Sequence, residues 1–267
     1  MGEQFGIYRS LVAASIRSQL AYPTSFALQC LAQALVQLED VVVVVVLFSR
    51  ISEMGGFSLP EVLLVYSLAG ISFGLSDVLV GSLKDLGRLV RTGTLDALLL
   101  RPLPAIAQIC SAEFALRRLG KVVTSLAVLS YVLASSDIPW TPLRVGVLLI
   151  TPLTGLVLFG AIWVAATATT FWLVEGDELP NAVTFGSWMF TSYPVSVFSG
   201  WLLRLMAFVV PGAFVAYYPA LAILGKPDPL GLHPLLPYCA PLVAVLAAGV
   251  AALIWRAGLR HYVGTGS

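Results

Sequence analysis

The chain sets its most reactive side chains inside an apolar run. Within Thr24–Phe48, Gln29, Gln33, Gln37 and Asp40 recur at intervals of four, four and three, so they fall on one stripe of a helix, with Glu39 beside it. Ionisable groups in such a run are costly in hydrocarbon and normally face a cavity or another helix. Two uses stay open. Gln33, Gln37, Glu39 and Asp40 would line a path for a transported molecule, or the amides would join helices through hydrogen bonds. Paired carboxylates also suit acid–base catalysis or proton carriage. Adjacent residues on a helix point about 100° apart, however, so Glu39 and Asp40 would not converge on one bond. His233 and His261 are the only histidines, too few and too separated for a metal cluster. Cys30, Cys110 and Cys239 lie far apart in apolar contexts and read as small buried side chains, with no disulfide framework or metal site.

The elements that position these residues follow from composition. Of 267 residues 58% are hydrophobic and 11% charged, with mean hydropathy +0.92. A soluble domain has about 25% charged residues, so this chain lacks the polar groups to cover a soluble surface. It reads as an all-α polytopic membrane protein forming a single transmembrane domain over residues 1–267. Net charge is +1, which gives no electrostatic case for nucleic acid. Crossing the hydrocarbon core takes about 20 apolar residues, and that rule predicts six spans near Thr24–Phe48, Glu61–Ser82, Ala105–Ala134, Leu143–Val174, Leu179–Phe198 and Leu235–Ala257. Residues 4–20 carry apolar side chains at helical spacing without enough hydrophobicity to span, as an interfacial helix does. Residues 199–224 are apolar but broken by Gly200, Arg204, Pro211, Gly212 and Pro219. The pieces are too short to cross, so a pair of re-entrant helices is expected there.

Lys and Arg set the orientation. With six spans and both termini inside, the cytoplasmic face collects Arg9, Arg17, Lys84, Arg88, Arg91, Arg101, Arg117, Arg118, Lys121, Arg256 and Arg260. The other face keeps Arg50, Arg144, Arg204 and Lys226. Glu113 and Arg117 stand four apart and would pair along the helix, and with Arg118 and Lys121 they read as cytoplasmic anchoring. Glu175, Asp177 and Glu178 read as a solvated turn. Gly70 and Gly74 give a Gly-x3-Gly suited to close helix packing. Trp188, Tyr193, Phe198, Trp201, Tyr217, Tyr218 and Tyr238 read as interfacial anchors, with Tyr193 and Trp201 also placed to gate the path of a lipophilic substrate.

Between the second and third spans lies RTGTLDALLLRPLP, Arg91–Pro104, at the end of a polar insert covering residues 84–101. Arg88 and Arg91 end the helix that leaves the second span, and Thr92-Gly93 breaks it. Thr94 is the expected N-cap and Asp96 sits in the first turn, where a carboxylate favours the positive helix end. Leu95, Leu98 and Leu99 form one apolar side; Arg101 closes the last turn, and Pro102 stops the helix. A short amphipathic helix of this kind suits docking in a groove on a soluble partner. Packing on lipid headgroups is the competing use, and composition does not separate the two.

The same stretch resembles the segment after the second span in type 2 ABC exporter permeases, where a Gly-Thr-Leu motif leads into leucines and a proline. It looks most like a less characterised subgroup in which Gly-Thr-Leu-Asp runs into Leu-Leu-Arg-Pro. Many other members carry an acidic residue before Gly-Thr-Leu, where this chain has Arg91 and Thr92. A second match is SYPVSVFSGWLLRLMAFVVPGAFVAYYPALAILG, Ser192–Gly225, similar to the family's Tyr-Pro element and re-entrant helices before the last span. The resemblance covers nearly the whole chain. It implies that Arg88, Arg91, Thr94, Leu95, Asp96, Leu98, Leu99 and Arg101 belong to a coupling helix that docks on a separate ATP-binding subunit. It also implies two copies of that ATPase, a second permease of the same or another kind, and a bacterial cytoplasmic membrane. The chain itself has no Gly-x4-Gly-Lys-Ser/Thr loop; Gly120-Lys121 lacks the upstream glycine and the hydroxyl residue. ATP and Mg would therefore be used by the partner. The expected cargo is hydrophobic or amphipathic. The reading from a different class is an ion-coupled carrier using Glu39 and Asp40.

Overall fold

Small residues on two faces of one helix organise the molecule. The computed structural model describes residues 16–101, 103–112, 116–173, 178–198, 201, 205, 210–227 and 235–262. Its helices are α1 (Pro23–Phe48), α2 (Leu59–Val80), α3 (Leu86–Arg91), α4 (Thr94–Leu99), α5 (Ala105–Ala112), α6 (Leu119–Ser135), α7 (Pro142–Ala168), α8 (Glu178–Thr191), α9 (Tyr217–Leu224) and α10 (Ala240–His261). Among the described residues the only β pairing is an isolated bridge between Met54 and Phe57. On one face of α2, a Cβ at Gly70 would meet Ser125 Oγ at 2.1 Å and one at Gly74 would meet Val122 Cγ2 at 2.6 Å, so the glycines let α6 approach closely. On the next face, Ser72 fills the space above Gly155, and Ser76 donates to the carbonyl of Leu156 at 2.7 Å, which seats α7. The Gly-x3-Gly spacing is thus a packing device.

These contacts also give direction. Gly70 meets Ser125 and Gly74 meets Val122, so α2 and α6 run antiparallel. Ser72 meets Gly155 and Val80 approaches Gly160, so α2 and α7 run parallel. Gly120 lies against Cys30 and Gln33 of α1, and Gly258 of α10 against Phe171 after α7. Buried side chains divide into two clusters. One runs from Val44, Phe57 and Leu64 to Phe214 and Leu221; the other gathers Leu83, Leu86, Val90, Leu95, Ile109, Phe171 and Trp255 at the opposite end.

Among the described residues four helical segments are long and apolar enough to cross a membrane: Pro23–Phe48, Leu59–Arg91, Pro142–Phe171 and Ala240–His261. Leu119–Ser135 and Gly212–Leu224 are apolar but shorter. The most apolar stretch of Leu59–Arg91 is 83% buried inside the molecule, against 11% for Pro23–Phe48, so α2 is the axis of the fold and α1 a flank. Pro152 sits inside α7 without ending it.

Several expectations change. Ala105–Ala134 is not one continuous rod: α5 ends at Ala112, and a 3-10 turn at Leu116–Arg118 leads into α6. At that turn the Arg118 guanidinium reaches inward to the end of α2. There Nη1 donates to the Asp77 carbonyl at 2.6 Å and Nε lies 3.4 Å from Asp77 Oδ1. Arg118 is 6% exposed, so it is a buried tether and not a surface anchor. The fifth predicted segment is helical only over Glu178–Thr191 before the chain turns at Val195–Val197. Trp188, Tyr217 and Tyr218 lie in the core, not at an interface; Trp201 and Tyr238 are exposed. Packed rings account for this, with Trp188 against Tyr66 and Phe73, and Tyr217 against Phe57 and Tyr218. In the expected re-entrant region, a 3-10 turn at Gly212–Phe214 and α9 are almost wholly buried, as irregular backbone at membrane depth must be. Most of residues 4–20, Glu113 with its expected Arg117 pairing, the Glu175–Asp177 turn, His233, Arg204, and most of 199–209 lie outside the described residues.

Candidate functional site

Two places gather the residues singled out by sequence. The first is the bend after α2. A 3-10 turn at Gly81–Asp85 carries the chain into α3, which ends at Arg91; Thr92-Gly93 then reverses it into α4. Gly93 has φ 66°, a left-handed conformation that L side chains rarely adopt, and it occupies the N-cap position. Thr94 is therefore the first helical residue and not the N-cap. Its hydroxyl instead lies 2.8 Å from that of Thr92, which donates to the Arg88 carbonyl at 2.9 Å. Asp96 does fall in the first turn of α4.

The leucines of α4 separate by face. Leu95 is fully buried among Leu83, Leu86 and Val90, and Leu98 packs on the same cluster. Leu99 is 42% exposed and Leu100 88%. The apolar side expected from Leu95, Leu98 and Leu99 therefore faces mainly inward, and Leu99 with Leu100 forms the outward side. Sequence reasoning missed Leu100, the most exposed leucine of the stretch. Lys84, Arg88, Arg91 and Arg101 are exposed around it. Gln108 of α5 fastens the segment from behind: Nε2 donates to the carbonyls of Leu98 at 2.9 Å and Leu103 at 2.8 Å. The bend is thus a basic, leucine-tipped knuckle fixed to the bundle on one side and open on the other.

The second place is the polar stripe of α1. It does not act as one unit. Gln29, Gln33 and Glu39 are exposed, whereas Gln37 is buried and Asp40 half-buried against α2. The Gln37 amide donates to the Tyr66 hydroxyl; that hydroxyl lies 3.0 Å from the Gln37 carbonyl and 3.4 Å from Asp40 Oδ2, accepting oxygens for its single proton. Tyr193 is half-buried and near enough to feel the Asp40 charge, while Trp201 is 73% exposed. Gln37 and Asp40 come together on Tyr66, with Tyr193 in the electrostatic reach of Asp40; Gln33, Glu39 and Trp201 do not join them.

The structure adds Lys121 to this group. Its ammonium sits 3.6 Å from the ring centre of Trp188 and 4.2 Å from that of Phe73, in the electrostatic reach of Asp40 and Asp77. Sequence reasoning had placed Lys121 among surface anchors. Its position inside the apolar run Leu119–Ser135 was the available signal, but nothing in sequence pairs it with aromatics on α2 and α8. Phe73 and Trp163 also form the floor of an open cavity of about 470 Å³, walled by Glu178, Asn181, Ala182, Thr184 and Phe185 of α8. Among the described residues no cluster of His, Cys, Asp and Glu could hold a metal ion.

The family model described as ABC-2 family transporter protein matches residues 34–266, from the middle of α1 to beyond α10. No curated protein and no solved structure matches the chain.

Proposed function

The chain belongs to the ABC-2 transporter family, a multi-pass permease subunit that works with an ABC ATPase, and from that premise we propose that it is half of an ATP-driven exporter. The observation that carries this reading is the knuckle at α3–α4. Its inner face is held by Leu86, Val90, Leu95 and Gln108, while Arg88, Arg91, Leu99, Leu100 and Arg101 face outward. An ATPase groove that takes the outer face can move the knuckle, and the inner face passes that motion to the end of α2. Such a lever supplies the mechanical link that a permease without its own phosphate loop requires.

In this proposal the four long helices, α6 and α8 make six crossings; the antiparallel α2–α6 and parallel α2–α7 contacts support an alternating order. Both termini and the knuckle are cytoplasmic, in a bacterial inner membrane. The sparsely buried α1 favours a second permease, a copy of this chain or a different one, above two ATPase subunits that bind ATP and Mg. The cargo is hydrophobic or amphipathic and moves outward. The carrier alternative loses its carboxylate pair, because Glu39 is exposed while Asp40 turns to Tyr66.

The test is co-purification with the cognate ATPase, and ATP hydrolysis in lipid, for native chain and for the double variant Leu100→Asp, Arg101→Glu. Both positions are exposed, so folding should be spared. The expected outcome is a monodisperse variant that no longer retains the ATPase. A variant that assembles and hydrolyses like native chain removes the coupling role.

A further inference from the structure

Lys121 is placed where a membrane protein has least reason to keep a structural lysine. It projects from the first turn of α6 into the space between α2 and α8. Its cation rests on the faces of Phe73 and Trp188, whose rings are themselves packed 5.0 Å apart. Burial works against the charge there, and the two aromatic faces with the fields of Asp77 and Asp40 act against that penalty. Yet a cation–π contact leaves the ammonium's N–H groups without acceptors, and an ammonium has three of them. Among the described residues Lys121 has no hydrogen-bond acceptor and no ion-pair partner. Arg118, three residues earlier, shows the contrast: Asp77 engages it at both Nη1 and Nε.

The ring under Lys121 is also the floor of the cavity. Phe73 touches Trp163, with ring centres 5.1 Å apart, and these two with Phe185 form the apolar side of a trough whose α8 wall also carries Glu178, Asn181 and Thr184. A cation short of acceptors and the apolar side of a trough therefore share one side chain. That pairing matches a molecule with an anionic head and a hydrocarbon tail, the head accepting the N–H groups of Lys121 and the tail lying on Phe73, Trp163 and Phe185. We propose that Lys121 on its Phe73–Trp188 platform is an anion-recognising site in the translocation path, and that the substrate is an anionic amphiphile. This rests on the permease reading and narrows its substrate class.

The experiment uses the full chain in phosphatidylcholine nanodiscs, without the ATPase, so its failure is distinct from failure of the coupling role. Tryptophan fluorescence is titrated with dibromo-octadecyl phosphate and with the trimethylammonium compound of the same chain, both quenching through bromine. Native protein should be quenched at a lower mole fraction by the phosphate, by on the order of tenfold, the scale of one charge-assisted hydrogen-bonded contact. Lys121→Gln should abolish that preference and Lys121→Arg should keep it. Equal quenching by both compounds in native protein, or an unchanged preference in Lys121→Gln, overturns the proposal. If Lys121→Gln does not fold, native protein still decides by competition: dodecyl phosphate should displace the bromo-phosphate and dodecanol should not, and the reverse result overturns it. The two sources of such a head separate in the same assay. Displacement by phosphatidic acid assigns the site to a bilayer lipid, and displacement by dodecyl phosphate alone assigns it to a free single-chain amphiphile.

Discussion

The two ends of the bundle are closed by different chemistry. At the end carrying α3 and α4, the chain is held by an apolar cluster on one side and presents basic residues and Leu99–Leu100 on the other. At the opposite end, the loop between α1 and α2 is fastened by polar bonds. Lys226 Nζ donates to the Gly56 carbonyl at 2.9 Å and pairs with Glu61 at 2.7 Å, and Ser196 Oγ donates to the Gly55 carbonyl at 2.8 Å. Glu61 meanwhile accepts from the Ser58 backbone at 2.7 Å in a capping box at the start of α2. Directional bonds to backbone carbonyls pin a loop in one place. An apolar seat holds a segment while letting it tilt as a unit, which suits the coupling role proposed for α3 and α4.

If that contrast is right, the most damaging change at the α3–α4 end is in its seat and not on its face. Leu95→Ala empties a fully buried site and should lower stability by about 2–5 kcal/mol, whereas Leu100→Ala, at an exposed position, should stay within about 0.5 kcal/mol. Thermal unfolding in detergent followed by size-exclusion fluorescence measures both. Equal effects would mean that α4 is not seated through Leu95.

The next largest effect concerns the flank. A Cβ at Gly120 would stand 2.9 Å from the Cys30 carbonyl oxygen and 3.2 Å from Gln33 Cβ, so the side chain must push α1 off α6. Gly120→Val should cost about 1–3 kcal/mol by overpacking. Gly146→Val adds a side chain in open space, with nothing within 4 Å of its Cβ, and serves as the control. The same unfolding assay should rank Gly120→Val well below Gly146→Val. Similar transitions in both would show that α1 is free to move aside.

Gln108 sharpens the comparison, because it is the polar exception at the apolar end. Gln108→Leu leaves the Leu98 and Leu103 carbonyls without their side-chain donor, at a cost of about 1–3 kcal/mol if they stay buried. The informative readout is functional: the ATPase should still bind through the outer face, while transport per ATP hydrolysed falls. Undiminished transport per ATP would confine Gln108 to stability.

What the sequence made legible divides along the same line. Runs of apolar residues announce α1, α2, α7 and α10, because a 20-residue hydrophobic run has few other fates. The position of the amphipathic bend was legible too, from Thr92-Gly93 and Asp96. Its cap was not: Thr94 has the favoured N-cap side chain, but reversing the chain in two residues needs a left-handed backbone, and only Gly93 adopts it easily. Leu95 and Leu100 look alike as letters, and only the Leu83–Val90 cluster decides which of them is inside. Lys121 and Arg118 were read together as surface charge. They part because one finds Asp77 and the other finds two rings, and those partners come from α2 and α8, far away in sequence.

The smallest expected effect lies at the polar end. Lys226→Gln removes the Glu61 ion pair and the Phe57 ring contact, 5.1 Å from the ring centre, yet an amide can still donate to the Gly56 carbonyl. The pair is partly exposed, with about a third of the Lys226 side chain open, so solvent screening limits its worth to under about 1 kcal/mol. The Ser58–Glu61 box and the Ser196–Gly55 bond remain to hold the loop. Local opening should respond more than global stability. Hydrogen exchange at residues 53–58 should quicken by no more than about fivefold, the factor that 1 kcal/mol allows, while the amides of α3 and α4 are unchanged. Exchange that quickens at both ends would mean that the ends are coupled through α2, and the pinned end would then belong to the moving parts.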